Sequence, residues 1–175
     1  MKIVAVVGNP NPASRTFHIA KGLAERLGVI LDSDQLIAID LAQFAEAMFT
    51  WPHDALSDIQ DEVASSDVLV AASPVYKGTY SGLLKAFFDR YPTDGLAGVT
   101  AIPVMSGGSA LHALAPEIGL RPLLIELGAS VPTRSLFFPT PQFSEVGDIL
   151  DKWVSSNVVA NAGLFGPIAR NEEPS

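Results

Sequence analysis

The chain contains no cysteine, which removes disulfides, thiolate metal centres and thiol nucleophiles together. Positive charge is also scarce: 11 Lys and Arg stand against 19 Asp and Glu, a formal charge of -8. Nucleic acid and anionic membrane both need a cationic footprint, so neither is expected as the main partner. A small anionic ligand stays open, because N–H groups at a helix start bind one without side-chain charge. No long uninterrupted apolar span and no basic-then-apolar leader is present, so a soluble cytoplasmic protein with no membrane segment is expected. His18 and His53 have no Asp or Glu at metal-ligand spacing, and no metal site is expected. Two familiar phosphate signatures are missing as well. The stretch VVGNPNPASRT has one glycine, Gly8, so it is no G-x-G-x-x-G loop, and no Lys precedes Ser or Thr as a triphosphate loop requires.

What is present suits a single compact domain over residues 1–175. Apolar residues make up 48% and charged ones 17%, a balance that argues against disorder. Apolar runs at 2–7, 35–39, 67–72, 99–105 and 131–138 read as buried strands. Between them, helical patterns occupy 15–27 (stopped by Gly28), 54–65, 83–91, a long stretch from the SGGS turn to about Leu127 bent at Pro122, and 143–162. The tail from about Gly163 is expected to fray. Strands alternating with helices mean a parallel sheet covered on both faces. The expected fold is therefore α/β: a flavodoxin-like three-layer sandwich with a five-stranded parallel sheet in the order 2-1-3-4-5. Ligands of that topology sit at the carboxyl ends of the strands beside the switch point, so the loops after strands one, three and four are the ones to read.

The first, GNPNPASRT, offers side-chain donors from Asn9, Asn11, Ser14 and Thr16 and the free N–H groups of a new helix. A phosphate dianion needs several donors and a positive dipole end; equally, Ser14 could simply cap a proline-rich turn. Arg15 is as well placed for solvent or a salt bridge as for a ligand. The second, SPVYKGTYSG, puts glycines and tyrosines directly after a buried strand, where glycine allows backbone approach to a flat ligand and tyrosine offers a stacking face. The plainer alternative is a turn, with Ser81 capping the next helix. The third, SGGS, is another donor-rich turn opening a helix.

In sequence the loops read G-N-P-x(3)-S-R-T, then S-P-V-Y-x-G-x-Y-S-G-x-L-K-x-F-x-D, then S-G-G-S-x(2)-H. That succession resembles the NAD(P)H-dependent FMN reductase family over residues 1–140, the branch supplying reduced flavin to alkanesulfonate-type monooxygenases above all. The resemblance implies FMN and NAD(P)H as cofactors and hydride transfer between them. It places Asn9, Ser14, Arg15 and Thr16 around the FMN phosphate and Pro74, Val75, Tyr76, Lys77 and Gly78 beside the isoalloxazine. Ser106, Gly107 and Gly108 would border its other edge. Asn9 stands where the family usually carries serine, and Ile118 where some sulfonate-linked members carry tyrosine. No catalytic side chain is expected, because the flavin carries the chemistry. A quinone, azo or chromate reductase of the same fold, or a non-enzymatic flavodoxin-like electron carrier, is the alternative.

Other conspicuous residues have simpler explanations. Asp40 closes the second strand without a dinucleotide fingerprint and is read as structural. His112, Trp51 and Trp153 are read as packing or interface residues. The resemblance implies a homodimer or homotetramer, and possibly a flavin-dependent monooxygenase as partner. The interface is expected along 80–91, where Tyr80, Leu83, Leu84, Phe87, Phe88 and Tyr91 exceed one sheet-facing stripe and Lys85, Asp89 and Arg90 could pair across a two-fold axis. A well-buried helix with solvated charges would look the same.

Overall fold

Five apolar runs form one parallel sheet in the computed structural model, which describes residues 1–165. They are β1 (Lys2–Val7), β2 (Gln35–Asp40), β3 (Val68–Pro74), β4 (Thr100–Gly107) and β5 (Leu136–Pro139). Their order is β2-β1-β3-β4-β5, as the sequence predicts. The register sets Val7 beside both Asp40 and Ala72, and Pro74 beside Ser106, so the strand ends that lead into the three loops lie next to one another. β3 and β4 are buried along their whole length, because helices cover both faces of a parallel sheet.

The helices are α1 (Arg15–Ile30), α2 (Asp54–Ala64), α3 (Gly82–Phe88), α4 (Arg121–Glu126) and α5 (Val146–Asn157). One face of the sheet packs on α1 and α5 through Ile19, Leu23, Leu27, Leu150 and Val154. The other packs on α2, α3 and α4 through Leu56, Val63, Leu84, Phe87 and Leu124. Each helix thus spends its apolar stripe on the sheet, and three layers result.

Several element ends differ from the sequence expectation, each for an identifiable reason. Gly28 does not stop α1. The helix runs on to Ile30, since one interior glycine costs only about 1 kcal/mol and Leu27 anchors the turn in the core. The long helix expected after SGGS is three pieces: a 3-10 turn at Ala110–His112, a π-turn at Pro116–Leu120, and α4 with Pro122 in its first turn. Two prolines without N–H groups break the ladder there. β5 pairs with β4 only from Leu136, apart from an isolated bridge at Ser130. The carbonyls of Val131 and Thr133 are taken instead by the Arg121 guanidinium, both at 2.7 Å. The expected closing helix is flanked by 3-10 segments at Thr140–Glu145 and Val159–Phe165. Phe165 is 2% exposed and belongs to the core under α1 and α5; the rest of the tail expected to fray lies outside the described residues.

The apolar girth of the 80–91 segment is used inside the chain. Leu84, Phe87 and Phe88 are buried, Phe88 to 1% exposure. Arg90 is buried too, donating from Nη1 to the carbonyls of Met48 and Thr50 and from Nε to Gln60 Oε1. The Tyr91 hydroxyl donates to the Gln60 carbonyl, and burial pushes its pKa far up. Lys85 pairs with Asp89 one turn along the same helix. The buried side chains of this segment therefore serve the core, which accounts for its apolar girth without an interface, and Phe88→Asp would probe folding before assembly.

Candidate functional site

The loop after β1 is held by its backbone before any side chain acts. The Gly8 N–H donates to the Ala72 carbonyl at 2.9 Å, and the Gly8 carbonyl accepts from the Ser81 hydroxyl. An added Cβ on Gly8 would stand 2.3 Å from Leu84 Cβ, so only glycine lets α3 come this close. Ser14 caps α1, accepting from the Phe17 N–H at 3.2 Å, as its plainer reading anticipates. That leaves its hydroxyl proton and the Arg15 and Thr16 N–H groups at the positive end of a 16-residue helix.

Behind this helix start lies a chain of buried polar groups. Asn9 Oδ1 accepts from the Asn11 N–H at 2.9 Å, which fixes the amide so that Nδ2 donates to Thr16 Oγ1 at 3.1 Å. Thr16 Oγ1 lies 2.7 Å from Ser106 Oγ, ninety residues away in sequence. Whichever hydroxyl donates to the other, one proton of the pair has no acceptor among the described residues. The first and third loops are thereby joined, with one donor left over.

The second loop closes the remaining side. Val75 N–H donates to the Ser106 carbonyl at 2.8 Å, and Ser73 Oγ accepts from the Ser81 N–H at 2.8 Å. Tyr76 and Thr79 exchange both backbone hydrogen bonds, with Lys77 at φ 52 and Gly78 at φ 86 between them. Two successive left-handed residues make a tight two-residue hairpin turn, which demands an adaptable second residue. Nothing lies within 4 Å of a Cβ built on Gly78, so its role is conformational. Gly78→Val is expected to strain the turn, at a cost of about 1–2 kcal/mol to apo-protein stability, and to lower flavin affinity several-fold. Flavin titration and a thermal melt check both halves; unchanged affinity would remove this turn from the site.

These loops wall a cleft of about 380 Å³, within the range of small-ligand sites. Asn9, Ser14, Arg15 and Thr16 line it at the helix start; Pro74, Val75 and Tyr76 form one wall, and Ser106, Gly107 and Gly108 the floor between them. Lys77 and Gly78 sit at the hairpin tip beside the lining. Two lining residues were not among the expected ones. The sequence marks Asn11 only as a donor, and Thr140 directly follows β5, where its place at a strand's carboxyl end is the available signal. Arg15 is exposed, its guanidinium 5.7 Å from the Phe143 ring centre. Donors gathered at one end and an apolar wall at the other suit a phosphorylated, flat ligand such as FMN.

A second groove, lined by Val29, Ile30, Val154 and Val159, lies at the far end of α1. At 1.5 Å per residue, that end is roughly 24 Å from the helix start. It carries few donors and cannot serve the three loops.

A doubly wound sheet with a helix start and glycine-bearing loops around a cleft at its switch point is the flavodoxin-like arrangement. Residues 1–142 match the family described as NADPH-dependent FMN reductase, and the chain belongs to that family. It is by that membership an oxidoreductase that uses FMN and NAD(P)H. FMN reductase (NADPH) of Pseudomonas aeruginosa is 36% identical over 127 residues, covering 70% of this chain and 68% of that protein. The FMN reductase (NADPH) of Escherichia coli is 30% identical over 142 residues, covering 78% and 72%. Among solved structures, an NADH:FMN oxidoreductase (EMOB) in its apo form superposes with a TM-score of 0.75 at 32% identity, covering 89% of each chain.

Proposed function

We propose that the three-loop cleft holds FMN, with its phosphate against Asn9, Ser14, Arg15 and Thr16 and its ring system between 74–78 and 106–108. The observation that carries this reading is the joined Thr16–Ser106 pair, which leaves one donor free beside the open N–H groups of α1. Ser14 and Thr16 bind, Pro74 and Val75 exclude water from one side, and half-exposed Tyr76 leaves room for a nicotinamide to approach. Bound FMN supplies the chemistry, accepting a hydride from NAD(P)H, so no side chain has to act as acid or base. The reduced flavin then serves a partner, a flavin-dependent monooxygenase by the sequence resemblance. Relatives named NADH-dependent FMN reductase SfnF and SfnE, from Pseudomonas putida, are in keeping with a flavin-supplying role. Steady NAD(P)H oxidation that depends on added FMN is the expected result in solution. Tightly retained FMN without turnover would point to an electron carrier instead, and turnover of quinone or azo acceptors at far higher rates would move the acceptor assignment.

The same reading includes a homodimer or homotetramer. The exposed apolar side chains include Leu111 (93%), Leu114, Ile118 (71%) and Ile125, three, four and seven residues apart on the segment that follows the third loop. Ile118→Asp is expected to shift the mass seen in sedimentation equilibrium toward the monomer without altering the melt. A wild-type protein that sediments as a monomer at all concentrations would end this part of the proposal.

A further inference from the structure

Asp40 closes β2 and is 6% exposed, yet no Lys or Arg pairs with it among the described residues. Both of its oxygens are spent on backbone. Oδ2 accepts from the Ala13 N–H at 2.8 Å, and Oδ1 from the Ala42 N–H at 3.2 Å, capping the 3-10 helix Leu41–Ala47. Ala13 has φ 49, a left-handed conformation disfavoured for a residue with a Cβ. It is also the residue immediately before Ser14, the cap of α1. The least comfortable backbone in the first loop is thus fastened, by a charge-assisted bond, to a strand end 27 residues away.

We propose that Asp40 is a positioning residue for the phosphate end of the cleft, which it serves through Ala13 without touching the ligand. This rests on the reading of residues 9–16 as the FMN phosphate loop. With the carboxylate in place, Ala13 stays left-handed and Ser14 enters α1 in the extended conformation (φ -69, ψ 166) that directs its hydroxyl and the next N–H groups at the cleft. Without it, Ala13 relaxes toward the ordinary regions of backbone space and the donors no longer converge. Asp40 is not among the cleft-lining residues, and a buried carboxylate facing an anion would oppose binding, so its contribution passes through the backbone.

The test is a fluorescence titration of FMN and of riboflavin, which lacks the phosphate, against wild type, Asp40→Ala, Asp40→Asn and the double variant Asp40→Ala/Ala13→Gly. Asp40→Ala is expected to weaken FMN by about tenfold, the scale of one hydrogen bond to a charged group, with riboflavin changed by less than about twofold. Ala13→Gly should recover most of that loss, because glycine adopts positive φ without help. Equal losses for the two flavins, no loss at all, or no recovery with glycine would overturn the role. Should Asp40→Ala fail to fold, isosteric Asp40→Asn decides: a smaller FMN-selective loss supports the role, and unchanged FMN affinity overturns it. A wild type that does not distinguish FMN from riboflavin would instead refute the phosphate loop itself.

Discussion

Replacing Ser14 and Thr16 together with Ala is expected to weaken FMN by roughly a hundredfold or more while leaving riboflavin within a few-fold. Each hydroxyl is read as a donor to a dianion, and a hydrogen bond to a charged group contributes about 1.5–3 kcal/mol, so two lost bonds reach that range even at the low end. The side effects are separable. Ser14→Ala also removes the cap on the Phe17 N–H, worth about 1 kcal/mol of stability. Thr16→Ala strands Asn9 Nδ2 and Ser106 Oγ in the interior. Both costs fall on the apo-protein melt and on both flavins alike, whereas the phosphate-specific loss falls on FMN only. Equal weakening of the two flavins would contradict the assignment of this loop.

Gly8→Ala is expected to be the most damaging single substitution at the site. Its Cβ would meet Leu84 Cβ at 2.3 Å, Cα at 2.8 Å and N at 2.9 Å. Two of these three atoms are backbone, so no rotamer change relieves the clash and α3 must move. That displacement drags Ser81, which ties the first loop to the second and caps α3. Overpacking of this kind costs about 3 kcal/mol or more, a fall in Tm of roughly 6–12 °C for a domain of this length. FMN affinity should fall with it; at Gly78, by contrast, an added Cβ meets no atom within 4 Å, so Gly78→Val costs backbone strain alone. A variant melting like wild type would show that β1 and α3 are not packed against each other in solution as described.

The sheet order and the three loops were legible because they depend on local signals: apolar runs of strand length, and turn residues where the topology needs a ligand site. What was not legible depends on partners distant in sequence. The 80–91 pattern cannot show that Arg90 and Tyr91 reach back to Met48, Thr50 and Gln60, which ties the segment into the core. Thr16 and Ser106 were each read as facing the ligand from separate loops, but only the fold shows that they touch. Asp40 looked like a strand end because its partner, Ala13, precedes it by 27 residues. The short β5 depended on Arg121 competing with β4 for two carbonyls, which periodicity does not register.

Backbone hydrogen exchange of the protein with and without FMN tests the central claim most directly. The expected protection falls on three segments separated in sequence: 8–17, 74–81 and 105–109. Added riboflavin should protect the second and third but not the first, since it brings no phosphate to Ser14 and Thr16. Protection confined to the far groove beside Val29 and Val159, or to the hollow beside Phe44 and His53, would place the flavin elsewhere and contradict the account.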